Sequence, residues 1–302
     1  MPSNSSAPHR IWMWVFVFLA VVAAVYAKPL LALTHRALSD ENVSHALLIP
    51  FVSAWLLYDA RSRIFTSPSA DFLGASLLAI AAAASAFWGY YSEARLHSAD
   101  GLTYFVLSAI LAWLAVFVCA FGKQVLRRGF FPFALLFLTI PWPSHILDPI
   151  ISYLQYGSAD IASVIFTLSG APVLREGLVF HLPRAIIEVA PECSGIRSSM
   201  ALLVLALLIA HFSFRPFWKK AVFVIAGLFI MIVKNGIRIA TLTLLANYVD
   251  PGFLFGNLHR QGGVVFFLIG LILLVPLYWF LKRGEAGMGA PLSAPAFGPK
   301  EG

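Results

Sequence analysis

The sequence predicts an all-α, polytopic membrane helical bundle of about eight transmembrane helices. Three observations lead there. Of the 302 residues, 60% are hydrophobic and only 12% are charged, a composition typical of chains that live in lipid. The apolar residues gather in long runs separated by short polar loops. The basic residues of those loops are unevenly divided once the runs are made to alternate across a bilayer.

Eight apolar runs read as helices: 11–27, 43–58, 72–90, 101–122, 129–142, 198–214, 221–247 and 263–281. The second and fifth are short for a span of about 20 residues, and Pro50, Pro132 and Pro141 interrupt them. The first run has a rival reading. Arg10, the apolar stretch and Val25-Tyr26-Ala27 also resemble a secretory signal with its cleavage site. No internal repeat is evident. The expected organisation is a single transmembrane domain over 1–284, followed by a disordered cytoplasmic tail over 285–302. That tail is rich in Gly, Ala and Pro.

The net charge of +7 belongs to the loops rather than to a nucleic-acid surface. Arg61, Arg63, Arg127, Arg128, Lys219, Lys220, Lys282 and Arg283 fall on one side of an alternating eight-span chain. The positive-inside rule puts that side, and both termini, in the cytoplasm of a multi-pass protein of the inner cell membrane. The longest polar stretch, 143–197, then lies outside. Its first part carries Ile146, Ile150, Leu154, Ile161, Ile165 and Leu168 at helical spacing, with Asp148, Gln155 and Asp160 off the stripe. This predicts a small extracytoplasmic amphipathic helix lying in the membrane interface. Its second part, Val173–Val189, holds two β-branched runs around Pro183-Arg184 and predicts a β-hairpin.

The hairpin leads to the candidate nucleophile. Cys193 stands in Pro191-Glu192-Cys193-Ser194-Gly195-Ile196-Arg197, at the mouth of an apolar helix. A thiol attacks only as thiolate, so its proton must be made easier to lose. Ser194 can cap the following helix and bring the thiol near its positive end, and Arg197 can add charge. The chain has two cysteines; Cys119, inside the apolar run 111–121, reads as a buried small side chain, and the pair does not read as a disulfide.

Two more groups could complete the chemistry. Arg238 lies inside an apolar helix, where an arginine is disfavoured by about 2.5–3.5 kcal/mol on insertion scales. Asn235, three residues earlier, shares its face. Lys234 is on that face too and receives no role. His259 follows in the short loop Gly256–Gly263. An imidazole exchanges protons readily with a thiol and a leaving amine. Thiol, guanidinium and imidazole on one membrane face point to acyl transfer, with Cys193, Arg238 and His259 catalytic and Glu192, Ser194, Arg197 and Asn235 supporting.

Other chemistries lack their signatures. There is no His-Glu-x-x-His zinc motif, no Gly-x-Ser-x-Gly elbow and no phosphate loop, so no metal or cofactor is expected. No Asp or Glu is central in any span, which argues against a proton-coupled pump.

Glu-Cys-Ser-Gly-Ile-Arg at 192–197, Asn-Gly-Ile-Arg at 235–238, and His259 closely followed by Gly262-Gly263 resemble the motifs of the exosortase/archaeosortase family. Ser44-His45-Ala46-Leu47-Leu48-Ile49-Pro50 and the Pro141-x-Pro143 step are similar to further landmarks, so the resemblance covers about 40–282. It implies an eight-span membrane cysteine protease or transpeptidase using Cys193, Arg238 and His259. The implied partners are secreted proteins with a C-terminal motif, a hydrophobic helix and a basic tail, met within the lipid bilayer. The competing expectation is a membrane transporter or assembly factor for an exported polysaccharide, for which the interfacial helix and Lys234 would serve.

Overall fold

The computed structural model describes residues 7–40, 43–65, 69–96, 100–183, 186–190, 196–254 and 263–286. The chain divides into two compact units, 1–150 and 151–302.

In the first unit the expected opening span is two helices, α1 (Ala7–Val25) and α2 (Ala27–Ser39), bent by 70°. Pro29 accounts for the break: it has no amide hydrogen to donate, and its ring crowds the carbonyl of Val25 one turn earlier. Tyr26, at the bend, bonds through its hydroxyl to Ser108 Oγ at 2.5 Å, and Ser108 donates to the carbonyl of Ala82 at 2.6 Å. A 3-10 turn, Ser44–Leu47, precedes α3 (Ile49–Asp59), which begins with Pro50 in its first turn. The single turn α4 (Arg61–Ile64) follows. Next come the long apolar helices α5 (Phe72–Leu96) and α6 (Gly101–Phe121), then the short α7 (Gln124–Arg128) and α8 (Phe130–Leu136). Trp12, Phe65 and Phe121 form an aromatic knot, with ring centroids 4.8–5.2 Å apart. Cys119 is half-buried beside this core, as a small apolar side chain.

The second unit holds most of α9 (Ser144–Ser169), three short strands and the helices α10 (Ile196–Ser213), α11 (Phe217–Tyr248) and α12 (Gly263–Ala286). The strands β1 (Leu174–Glu176), β2 (Val179–His181) and β3 (Ile186–Glu188) form one antiparallel sheet in chain order. The expected hairpin around Pro183 is β2–β3, with Phe180 opposite Ile187. A further strand precedes it through a two-residue turn at Gly177, whose φ of 63° is the left-handed conformation such turns require. Phe180 is fully buried and meets the ring of Phe166 on α9 edge-on at 5.2 Å.

Among the described residues, four helices are long and apolar enough to cross a membrane, or six if each bent pair is one span. The four are α5, α6, α11 and α12. The bent pairs are α1 with α2, and the α8 segment with α9, which meet at 92°. The Pro141-Trp142-Pro143 step lies in that second break and disfavours helical backbone there. The other two expected spans are helical but short: α3 has 11 residues and α10 has 18. At about 1.5 Å per residue, α3 covers only about half of the hydrocarbon layer. The molecule is thus an all-helical membrane protein with one small sheet.

Of the expected apolar stripe of α9, Ile146, Ile150 and Leu168 are exposed. The buried face is Gln155, Ser158, Ala159, Ala162 and Phe166. Gln155, placed off the stripe by its polarity, is inside because it has an acceptor there. It donates Nε2 to the carbonyl of Val189 at 2.6 Å, and a buried amide is tolerated when so bonded.

Candidate active site

The site is built around the Asn235–Arg238 turn of α11. That helix runs for 32 residues with no Asp or Glu. Its polar residues interrupt an otherwise apolar sequence, so each one marks a place where another element supplies a partner.

The first such place faces α9. Asn235 is 1% exposed and donates Nδ2 to Ser158 Oγ at 3.0 Å, between two buried side chains. Next to it Gly236 allows the backbones to approach. A Cβ added there would lie 2.5 Å from the Cβ of Ile161 and 2.9 Å from the carbonyl oxygen of Ser158. Only a residue without a side chain fits that separation. Gly236 and Ala240 are spaced four apart on α11, as Ser158 and Ala162 are on α9. This is the small-residue spacing by which helices meet closely in lipid. Ala159, Ala162 and Phe166 of α9 share one apolar cluster with Ile239 and Ala240 of α11 and with Phe180 of the sheet.

The second place faces α10. Lys234 is 1% exposed, and its Nζ donates to Ser198 Oγ in the opening turn of α10. At the other end of the same three helices, lysines bond to backbone carbonyls. Lys219 donates to Leu281 O and Lys282 to Ser213 O, each at 2.7 Å. Cations near the last carbonyls of α10 and α12 complement the negative ends of those helices.

Arg238 lies one turn beyond Lys234, half-buried. It is ten residues before the end of α11 at Tyr248, or about 15 Å along the axis. Its long side chain is suited to reach a group held nearer the helix end.

These contacts lie on either side of the segment that carries Cys193. Cys193, Glu192 and Ser194 lie outside the described residues, as does His259; Arg197 is in the first turn of α10, but its side chain is not described. Described residues further out on both sides have partners on other helices. Upstream, β3 ends at Glu188 and Val189 accepts the hydrogen bond from Gln155 of α9. Downstream, Ser198 receives Lys234 of α11. Gln155 is one turn from Ser158, and Lys234 adjoins Asn235, so both tethers lead to the one junction where α9 and α11 touch. His259 belongs to the connection between the 3-10 turn Pro251–Leu254, which closes α11, and the start of α12 at Gly263.

The transmembrane exosortase family model (Exosortase_EpsH) matches residues 34–276. The chain belongs to the exosortase family. No curated protein and no solved structure matches it. The matched span contains α9, the sheet, α10, α11 and the start of α12, so the junction just described lies wholly within the exosortase region. The family is that of membrane transpeptidases, in keeping with the helical membrane architecture found here.

The sequence placed Asn235 and Arg238 on one face of a helix, and α11 carries both. It did not single out Ser158, Gln155 or Gly236. Two signals for these were available. Gly236 stands inside a membrane helix four residues from Ala240. Gln155 and Ser158 sit three apart on α9, beside the small residues Gly157 and Ala159.

Proposed function

We propose that this exosortase is a membrane cysteine protease/transpeptidase that cleaves the C-terminal sorting signal of secreted proteins anchored in the same bilayer. One observation carries the reading. The segment bearing Cys193 is tethered through Val189 and through Ser198 to the α9–α11 junction that also carries Asn235, one turn from Arg238. The described residues that bracket Cys193 thus lead to the helix that carries the guanidinium.

In this reading Cys193 attacks the scissile carbonyl as thiolate. The C–S bond forms, and the peptide C–N bond breaks as His259 gives a proton to the departing amine. Arg238 stabilises the thiolate before attack and the oxyanion that follows. The resulting thioester is resolved by an amine or by water, which restores the thiol. Glu192, Ser194, Arg197 and Asn235 hold the reacting groups in place.

The substrates are secreted proteins carrying a short motif, a hydrophobic helix and a basic tail. Such a helix would lie beside the spans, with its basic tail on the cytoplasmic side where Lys219 and Lys282 gather. The positive-inside distribution supports an extracytoplasmic site and cytoplasmic termini.

The test is a Cys193→Ala variant expressed with a candidate substrate that bears such a tail. Accumulation of the uncleaved, membrane-anchored precursor is expected. Wild-type processing in that variant would overturn the reading.

A further inference from the structure

At one end of the first unit the chain folds two short turns against each other, α4 (Arg61–Ile64) and α7 (Gln124–Arg128). They bring together Arg61, Arg63, Arg127 and Arg128, with Lys123 just before α7, and all five side chains are exposed. The turns beneath these charges are held firmly. Ile64 is 3% exposed and Val125 1%, and both belong to the core that contains Phe121. The ring of Phe65, next to Ile64, lies 4.8 Å from that of Phe121. Gly122 leads into α7 with a φ of 72°, the left-handed conformation that favours glycine. A Cβ there would lie 2.4 Å from the carbonyl oxygen of Ser69, just before α5. Arg61 itself is positioned: Nη1 donates to the carbonyl of Tyr58 at 2.7 Å, and the guanidinium stands 4.1 Å from the centre of the Tyr58 ring.

Charge that only orients a membrane protein has to be present in a loop; it need not stand in a fixed place. Here the positive charges are set on a pinned backbone and are not neutralised by the chain. Asp59 is exposed at the end of α3, and Asp71 accepts from the backbone N–H of Gly74 at 2.8 Å. None of the described residues forms an ion pair with Arg63, Lys123 or Arg127. The basic residues at the end of α10–α12 differ, since Lys219 and Lys282 there are engaged by the carbonyls of Leu281 and Ser213.

We propose that α4 and α7 form a binding face for the headgroup of an anionic phospholipid, with Arg63 and Arg127 taking its phosphate oxygens. Two observations favour this partner. Four of the five cations are arginines, whose planar fork can give a phosphate two parallel N–H bonds, where lysine offers a point charge. The face also lies where the apolar helices end. Tyr58, beneath Arg61, is exposed, and such rings gather at headgroup level. Phe130, two residues after Arg128, and Phe72, at the start of α5, are exposed apolar side chains for the acyl chains to meet. A soluble acidic protein would have no use for those rings.

The experiment uses the full chain in detergent, titrated with phosphatidylglycerol or phosphatidylcholine, with bound lipid counted by native mass spectrometry. The parent should bind phosphatidylglycerol in preference to phosphatidylcholine. Arg63→Gln with Arg127→Gln should weaken phosphatidylglycerol binding about tenfold or more, as expected for the loss of two cations at a lipid surface. Both side chains are exposed, so the variant should accumulate as the parent does. Arg63→Lys with Arg127→Lys keeps the net charge and should still weaken binding several-fold, which decides the matter even where the glutamine pair fails to accumulate. Lys220→Gln with Arg283→Gln removes the same charge at the end of α10–α12 and should leave binding at the parental level.

Equal binding of the two lipids, or parental binding in the lysine pair, would overturn the proposal. So would an equal loss in the Lys220 and Arg283 pair, because binding would then follow net charge and not this face. Displacement of phosphatidylglycerol by an equal concentration of inorganic phosphate would assign the arginines to a free anion instead. Loss of an acidic partner protein from the Arg63 and Arg127 variants, with lipid binding unchanged, would make the face a protein interface. Substrate cleavage is not read, so the outcome stands apart from the chemistry proposed for Cys193.

Discussion

Asn235 of α11 donates its side-chain amide to Ser158 of α9 at 3.0 Å, and beside this bond Gly236 lets the two helices come within backbone contact. The bond and the gap depend on each other. A methyl group at 236 would push Ile161 and the Ser158 backbone away and stretch the bond from Asn235. The same turn carries Arg238, so the packing of α9 sets where the guanidinium stands.

The first prediction follows from that geometry. Gly236→Ala should destabilise the protein by about 1–3 kcal/mol, the usual range for overpacking a close contact, and should lower substrate cleavage sharply. Gly227 on the same helix is the control, because a Cβ there meets only the Cβ of Ala206 at 3.4 Å. Gly227→Ala should leave both properties close to the parent. Thermal unfolding in detergent, together with cleavage in cells, checks the pair; equal effects at the two positions would count against the α9–α11 contact.

What could be read from the chain and what could not divide along a physical line. The spans α5, α6, α11 and α12 are long apolar runs, and solvation by lipid alone marks them. The bends at Pro29 and at Pro141–Pro143 depend on local backbone sterics; only the second was visible, as a weakness in a short run. The burial of Gln155 could not be read, because it is decided by Val189, which lies 34 residues away. Strand β1 was missed because three residues, Leu174–Glu176, carry too little pattern to stand out before they pair. In the candidate site, Asn235 and Arg238 could be put on one helix face by spacing. Their neighbour Ser158 could not be named, because serines are common on helices and only packing selects one.

A second prediction concerns Gln155. Gln155→Leu keeps the volume but removes the donor to Val189 O, leaving a carbonyl beside a 1% exposed residue without its partner. Such a loss costs about 1–3 kcal/mol when the acceptor stays buried. The chain just before Cys193 would be less firmly held. Cleavage should fall several-fold while the protein still inserts, measured as the ratio of precursor to product at equal enzyme abundance. Unchanged cleavage would separate this tether from catalysis.

Arg238 is predicted to act through the shape of its guanidinium as well as its charge. Lysine keeps the charge but loses the planar fork of donors. Arg238→Lys should therefore lose most activity while accumulating and inserting normally. Immunoblotting of membranes for abundance and a substrate-processing assay decide the matter. Full processing in the lysine variant would show that a positive charge at that turn is enough.

The last prediction fixes the order of chemical roles. An amine is a poor leaving group until it is protonated. If His259 supplies that proton, its loss blocks acylation of Cys193 and leaves the substrate intact. His259→Ala should then accumulate uncleaved precursor and no covalent adduct, as Cys193→Ala does. Hydroxylamine, which cleaves thioesters, distinguishes the alternative. A hydroxylamine-sensitive adduct between enzyme and substrate in His259→Ala would mean that Cys193 and Arg238 suffice for attack and that His259 serves the second half of the reaction. Parental turnover in the same variant would remove His259 from the site and leave a Cys193–Arg238 pair as the minimal machinery.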